Sequence, residues 1–182
     1  MRTLLAFLIL ALAGTAEAQI VTVSHGGTGA STAAQARINL GLPAETLLAA
    51  DTAITALTAT GTPLQFAAAK NSTYTFDVYG YATSSSNAGA KLAISVPSGS
   101  TLTAMAVETG TTASDTHTEV FTAGGTLGAA FVQGTSLNGV FHIHGSVITN
   151  STAGNVILQA AKVTSGTVTV KAGAYINYTK VQ

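Results

Sequence analysis

Tyr74-Thr75-Phe76-Asp77-Val78-Tyr79 alternates strictly: Tyr74, Phe76 and Val78 share one face, and Thr75, Asp77 and Tyr79 share the other. A period of two is the mark of a half-buried β-strand, because successive side chains leave the pleat on opposite sides. Runs of the same kind recur in both directions along the chain. The pattern predicts nine strands: Leu64 to Ala69, Thr73 to Tyr81, Lys91 to Val96, Thr101 to Glu108, His117 to Ala123, Gly139 to Ile148, Asn155 to Val163, Thr167 to Lys171 and Ala174 to Val181. Short strands at such close spacing, with no long helical pattern between Thr62 and Gln182, indicate a mainly β chain folded as an antiparallel β-sandwich.

The breaks between the runs carry turn chemistry. Pro97-Ser98-Gly99-Ser100 has a proline that fixes φ, Gly124-Gly125 and Ser165-Gly166 interrupt the chain, and Ser84 to Gly89 is a small-residue loop. Composition agrees with a closely packed sheet. Of 182 residues 47% are hydrophobic, many of them alanine, and 8% are charged, so a folded subunit has few charges to keep it apart from its copies. Seven basic residues cancel seven acidic ones, which leaves no clustered Lys/Arg footprint for nucleic acid. The absence of cysteine removes disulfides and thiolate metal sites, so packing and assembly must supply stability.

Upstream of the sandwich, Gly26-Gly27-Thr28-Gly29-Ala30-Ser31-Thr32-Ala33-Ala34-Gln35-Ala36-Arg37-Ile38-Asn39-Leu40-Gly41-Leu42 reads as a glycine hinge entering a short helix. Ser31 or Thr32 can cap its first N–H groups, Gly41 is placed to stop it, and Pro43 forbids continuation. A helix of about three turns is marginal alone and needs a neighbour. Leu47, Leu48, Ile54 and Leu57 then suggest a short helical neck between Pro43 and Thr60, against which Thr52, Thr55 and Thr58 weigh; the alternative is an extended linker that leads into the sandwich. The expected organisation is an apolar segment over 1–18, a stalk and neck over 19–61 and a head over 62–182.

The stretch from Gly26 to Leu42 resembles the repeat of bacteriophage tail-fibre and tail-collar proteins, which carry a GGTGA-T-A-A-R-NLGL pattern. The resemblance covers about a tenth of the chain and implies a virion structural protein that works as a homotrimer. Its stalk and particle-attachment residues would be Gly26, Gly27, Gly29, Arg37, Asn39 and Leu40, with other capsid or tail proteins as partners. The closing run Val156-Ile157-Leu158-Gln159-Ala160-Ala161, with Thr167 to Val170 and Ala172 to Ile176, is similar to the last strands of jelly-roll heads on phage fibres. In shape these are similar to tumour-necrosis-factor-like trimers. A head of that kind implies contact with a host-surface glycan or protein, for which Tyr79, Tyr81, Ser85 and Asn87 offer aromatic and polar groups.

Chemistry-bearing residues are sparse. In Val140-Phe141-His142-Ile143-His144-Gly145-Ser146-Val147 the strand pattern sends Phe141, Ile143 and Val147 to the core and both imidazoles to the other face, about 7 Å apart. Two nitrogen ligands are too few for a tight metal site, and two histidines on a strand face are ordinarily surface residues. The pair is similar to the iron-binding tips of some phage spikes, which implies a metal ion held by His142 and His144 of three chains on a threefold axis; no other cofactor is expected. Ser114, Asp115 and His117 lack a glycine elbow and an oxyanion hole, so no enzyme is expected. Gly26 to Gly29 has neither the strand nor the lysine of a phosphate loop.

Residues 1–18 have the form of a secretory signal: Arg2, an apolar run from Leu4 to Ala13, and Ala16-Glu17-Ala18 before Gln19. This favours a second class of function, an exported bacterial surface or periplasmic β-sandwich protein or appendage subunit. A virion location and an exported one are thus both expectations of the sequence.

Overall fold

The computed structural model describes residues 27–85, 90–109, 116–124, 131–132, 138–163 and 165–181. The signal-like segment 1–18, Gly26, Asn87, Ser114 and Asp115 lie outside the described residues. The chain divides into two compact units, residues 1–40 and 41–182. The first contains one described helix, α1 (Ala33–Asn39).

The second unit is a two-layer antiparallel sandwich of β1 (Ala44–Leu47), β2 (Thr52–Ile54), β3 (Thr60–Ala68), β4 (Thr73–Ser84), β5 (Ala90–Ser95), β6 (Thr101–Thr109), β7 (Thr116–Gly124), β8 (Phe131–Val132), β9 (Asn138–Ile148), β10 (Gly154–Lys162), β11 (Val168–Val170) and β12 (Tyr175–Lys180). The large sheet has the order β1-β12-β4-β9-β6-β7, with β2 and β11 continuing its β1/β12 side along the far end of β4. The small sheet has the order β3-β10-β5-β8. Along the chain β3, β4 and β5 alternate between the sheets, as do β8, β9, β10 and then β11 with β12. This alternation is the jelly-roll arrangement, and the β6–β7 hairpin extends the large sheet beyond β9. All nine expected strands are present.

Burial follows the period-two pattern. β4 puts Tyr74, Phe76, Val78 and Ala82 inside, and Phe141, Ile143 and Val147 of β9 join them. Leu64 and Phe66 of β3, Leu92 and Ile94 of β5, and Val156 and Leu158 of β10 fill the layer from the other sheet. Each large aliphatic or aromatic side chain withdrawn from water contributes roughly 1.5–3 kcal/mol. At one end Phe66 stacks on Tyr178 with ring centroids 4.2 Å apart and lies 5.5 Å from Tyr74. Burial raises the Tyr178 phenol above its usual range, with Tyr74 a lesser cause.

Buried hydroxyls complete the backbone accounting. The β3–β10 register shifts between Ile157 and Gln159, and there Thr62 Oγ1 donates to the Leu158 carbonyl at 2.8 Å. Thr149 Oγ1 donates to the carbonyls of Ala69 and Ser72 and accepts the Ser72 N–H at 2.9 Å, which fastens the β3–β4 turn to the end of β9. In that turn Asn71 takes φ 50.

The helical neck expected between Pro43 and Thr60 is replaced by β1 and β2. Leu48 and Ile54 are buried while Leu47 and Leu57 are exposed. Adjacent Leu47 and Leu48 thus face opposite ways, as in extended chain, and β-branched threonines favour that state. The sandwich therefore begins at Gly41 rather than residue 62. Lys171 Nζ donates to Asp51 Oδ2, and the Ala172 N–H donates to Asp51 Oδ1 at 2.9 Å, tying the β1–β2 connection to β11. Lys171 first, and the Ala172 N–H second, hold the Asp51 carboxyl below its usual range.

Close approach of β9 to β6 depends on Gly145. A Cβ there would lie 2.4 Å from the Thr103 carbonyl oxygen and 2.7 Å from the Ala104 Cβ. Backbone cannot yield as a side-chain tip can, so we expect Gly145→Ala to cost about 2–3 kcal/mol in urea unfolding. Gly61→Ala, whose Cβ would meet only Ile157 Cγ2 at 3.4 Å, should cost under about 1 kcal/mol. Equal effects at the two sites would contradict this account of the β6–β9 contact.

Candidate functional site

The outer face of the large sheet gathers most of the residues to which a function can be attached. Antiparallel register puts residues of adjacent strands side by side on one face. One rank across the sheet is Leu47, Tyr175, Tyr79, His142 and Val107; the next is Glu45, Asn177, Asp77, His144 and Met105. A third contains Thr179, Thr75, Ser146 and Thr103.

Within these ranks the rings form a continuous ribbon. Tyr175 and Tyr79 have centroids 5.8 Å apart, Tyr79 and His142 6.2 Å, and His142 and His144 5.5 Å. His142 Nε2 lies 3.0 Å from Asp77 Oδ1, so Asp77, although in register with His144, pairs diagonally with His142. Beside them a shallow open groove of about 600 Å³ is lined by Thr75, Asp77, Thr103, Met105, His144 and Ser146 among others.

Exposed apolar groups concentrate on this side. Leu47, Tyr79, Tyr81, Val140 and Ile148, the large hydrophobics most exposed within the strands, all fall on the outer face of the large sheet, Ile148 at 53%. The outer face of the small sheet instead shows Gln65 bonded to Asn155 at 3.1 Å, together with Pro63, Ala67 and Lys91. The outer face of the large sheet thus holds the exposed aromatic and aliphatic groups of the strands, set among Glu45, Asp77, His142, His144 and short hydroxyl side chains.

Tyr79 and Tyr81 lie on the apolar face as the alternation predicts. Ser85 Oγ accepts the Thr167 N–H at 2.8 Å and prolongs the β4–β11 edge. His142 and His144 project together, as expected, and sit closer than strand geometry alone suggested. Among the described residues no three His, Asp or Glu side chains group as a metal-ligand set, so one chain supplies the Asp77–His142 pair with His144 beside it. His117 lies on β7, and its expected companions Ser114 and Asp115 are outside the described residues. Tyr175, Met105, Val140 and Ile148 were not singled out from the sequence. Their alternation was visible, but their assembly with Tyr79 needs the β12–β4–β9–β6 register.

In the first unit the described residues expected to form a stalk bond among themselves. Thr32 caps α1, its Oγ1 accepting the Gln35 N–H at 3.2 Å. Asn39 Nδ2 donates to the Thr28 carbonyl at 2.7 Å while its Oδ1 accepts from Gln35 Nε2 at 2.8 Å. Gly29 supplies φ 65 for the chain to fold back toward Asn39, and Gly41 follows Leu40 at φ 67. Gly29, Asn39 and Leu40 therefore belong to one capped turn, Gly27 lies just before it, and α1 itself has no buried residue.

No protein-family model and no curated protein matches the chain. Among solved structures it is similar to the Eiger TNF from S. frugiperda, at 9% identity and a TM-score of 0.36, over 77% of this chain and 92% of that one. It is also similar to infectious bursal disease virus Gx strain, at 13% identity and a TM-score of 0.26, over 72% of this chain and 37% of that one. A third is a Bacillus endospore appendage of the disulfide-linked pili, at 12% identity and a TM-score of 0.20, over 72% of this chain and 89% of that one. The fold assignment rests on strand order and register.

Replacing Asn39 by alanine removes both of its bonds, a loss of roughly 1 kcal/mol locally. In the full chain the amides of α1 should then exchange with deuterium about fivefold faster; unchanged exchange would contradict the closing role given to Asn39.

Proposed function

We propose that this protein is a structural component of a phage particle: a homotrimeric fibre, spike or decoration protein. Residues 27–42 form its stalk and attachment segment, and its jelly-roll head carries the contact surface. The observation that carries the reading is the set of exposed aromatic and aliphatic side chains, Leu47, Tyr79, Tyr81, Val140 and Ile148, on the outer face of the large sheet. Residues Thr73 to Tyr81 span roughly 30 Å, and five strands at about 4.8 Å give roughly 20–25 Å of width. The resulting area, roughly 700 Å², approaches the ~800 Å² per partner of a stable protein interface.

Three copies meeting on this face would withdraw Tyr79, Tyr81, Val140 and Ile148 from water and leave the small sheet outward. The stalk fits the same arrangement, since α1 buries nothing within its own unit and a helix this short needs neighbours to persist. Attachment then works by multiplicity: a weak contact to a host glycan or protein at each head, repeated over three subunits and many copies, gives firm adhesion without a strong single site. The reading assigns no catalytic role. The GGTGA-T-A-A-R-NLGL resemblance supports the virion setting.

Sedimentation of the purified chain at neutral pH should give three times its monomer mass. The pair Tyr79→Lys and Ile148→Lys, both at exposed positions, should leave the β-sheet circular dichroism intact and reduce the mass to that of one chain. A wild-type monomer at high concentration, or a trimer indifferent to both lysines, would overturn the reading.

A further inference from the structure

The proposed assembly covers the outer face of the large sheet, so contact with a host has to be made elsewhere on the head. The course of the chain distinguishes the two ends of the sandwich. Residues 41–43 lead into β1 at Ala44, opposite Tyr178, and β12 finishes at Lys180, opposite Tyr74 near the start of β4. The chain therefore enters and leaves the sandwich at the start of β4, where the β5–β6 turn at Ser98 and the β9–β10 turn at Asn150 also lie. The other end, at Ser84, is roughly 35 Å away along the twelve residues of β4.

Three connections meet at that far end and are fastened to one another. Val168 of β11 pairs with both Ile54 and Ser84. The Lys162 N–H donates to the Ala56 carbonyl at 2.9 Å, and Thr60 Oγ1 donates to the Thr58 carbonyl at 3.2 Å, which holds the β2–β3 loop in place. The Ser85 N–H donates to the Thr167 carbonyl at 2.9 Å while its Oγ accepts the Thr167 N–H. Thr55, Leu57, Thr58, Thr60 and Ser165 are exposed there, four hydroxyls around one aliphatic side chain. Within residues 55–60 and 162–167 only Lys162 carries a charge.

From this arrangement we infer that the end formed by residues 55–60, 84–85 and 165–167 is the host-contacting tip of the head and takes an uncharged glycan. The inference rests on the virion reading above and adds to it a surface and a ligand class. An attachment segment continuous in sequence with residue 41 tethers the end where the chain enters, which leaves the far end to project. A hydroxyl both donates and accepts, and so matches the hydroxyls of a sugar. Leu57, 56% exposed, offers an apolar patch to the C–H face of a sugar ring. Connections already bonded to one another need little further ordering on contact.

The chain has no cysteine, so Thr58→Cys and Ser98→Cys, both at exposed positions, each give a single site for maleimide-linked gold. In micrographs of particles that carry the full chain, gold at Thr58→Cys should lie about 30 Å farther out than gold at Ser98→Cys. Adsorption of the purified trimer to the bacterium on which the particle grows should fall about tenfold or more with Thr58→Arg and stay unchanged with Ser98→Arg. It should be lost when the cells are treated with periodate, which cleaves sugar diols, and survive protease treatment of the cells and high salt. Gold at equal radii or in the reverse order, no adsorption by the unaltered trimer, or equal adsorption by the two arginine variants would overturn the tip assignment. Adsorption sensitive to protease or salt and indifferent to periodate would overturn the ligand class. Each of these outcomes leaves the virion reading standing, whereas absence of both gold labels from the particles would overturn that reading too.

Discussion

Tyr74, Phe76 and Val78 are withdrawn from water on one side of β4 while Asp77 and Tyr79 stand on the other, and the rest of the sandwich is arranged around that division. β4 is flanked by β12 and β11 on one edge and β9 on the other, so its two-sidedness propagates by register across the whole large sheet. The inner face closes against the small sheet with interdigitated side chains, as sheet-on-sheet packing requires. A one-residue slip of β4 would exchange Phe76 for Asp77 in the core, which is why register here is strongly specified.

The nine principal strands were legible because period two survives even where the apolar residue is alanine. β1, β2 and β8 were not. β1 and β2 lie in a segment whose leucines mimic a helical stripe, and only the burial of Leu48 and Ile54 against the exposure of Leu47 and Leu57 reveals extended chain. β8 is two residues long and has no period to read. Of the candidate site, the shared projection of His142 with His144 and the outward position of Tyr79 and Tyr81 follow from alternation. The Asp77–His142 pair, the Tyr175–Tyr79 contact and the part played by Met105 depend on which strands are neighbours, and that is decided by long-range topology. The bond that Ser85 accepts from the Thr167 N–H likewise depends on the β4–β11 pairing.

The chain's energetics and its proposed use meet in composition. An alanine-rich core buries less surface per residue than one built from leucine and phenylalanine, so its margin of stability is narrow. Leaving Tyr79, Val140 and Ile148 exposed adds nothing to that margin in a single chain. Covering them with sister copies would convert the same surface into stabilisation by mass action. The capped turn of residues 28–40 has the same character: well satisfied in its own hydrogen bonds and without a buried side chain of its own.

Tyrosine labelling tests the central claim most directly. In the lone chain Tyr79 is 43% exposed and Tyr81 40%, well within reach of a small solution reagent such as iodine. If sister copies cover the outer face of the large sheet, both rings should resist modification in the native protein at neutral pH and react readily once the Tyr79-bearing face is opened by denaturant. Rapid modification of both rings in the native protein, at the rate of a free tyrosine, would show that the face is bare and that the account is wrong.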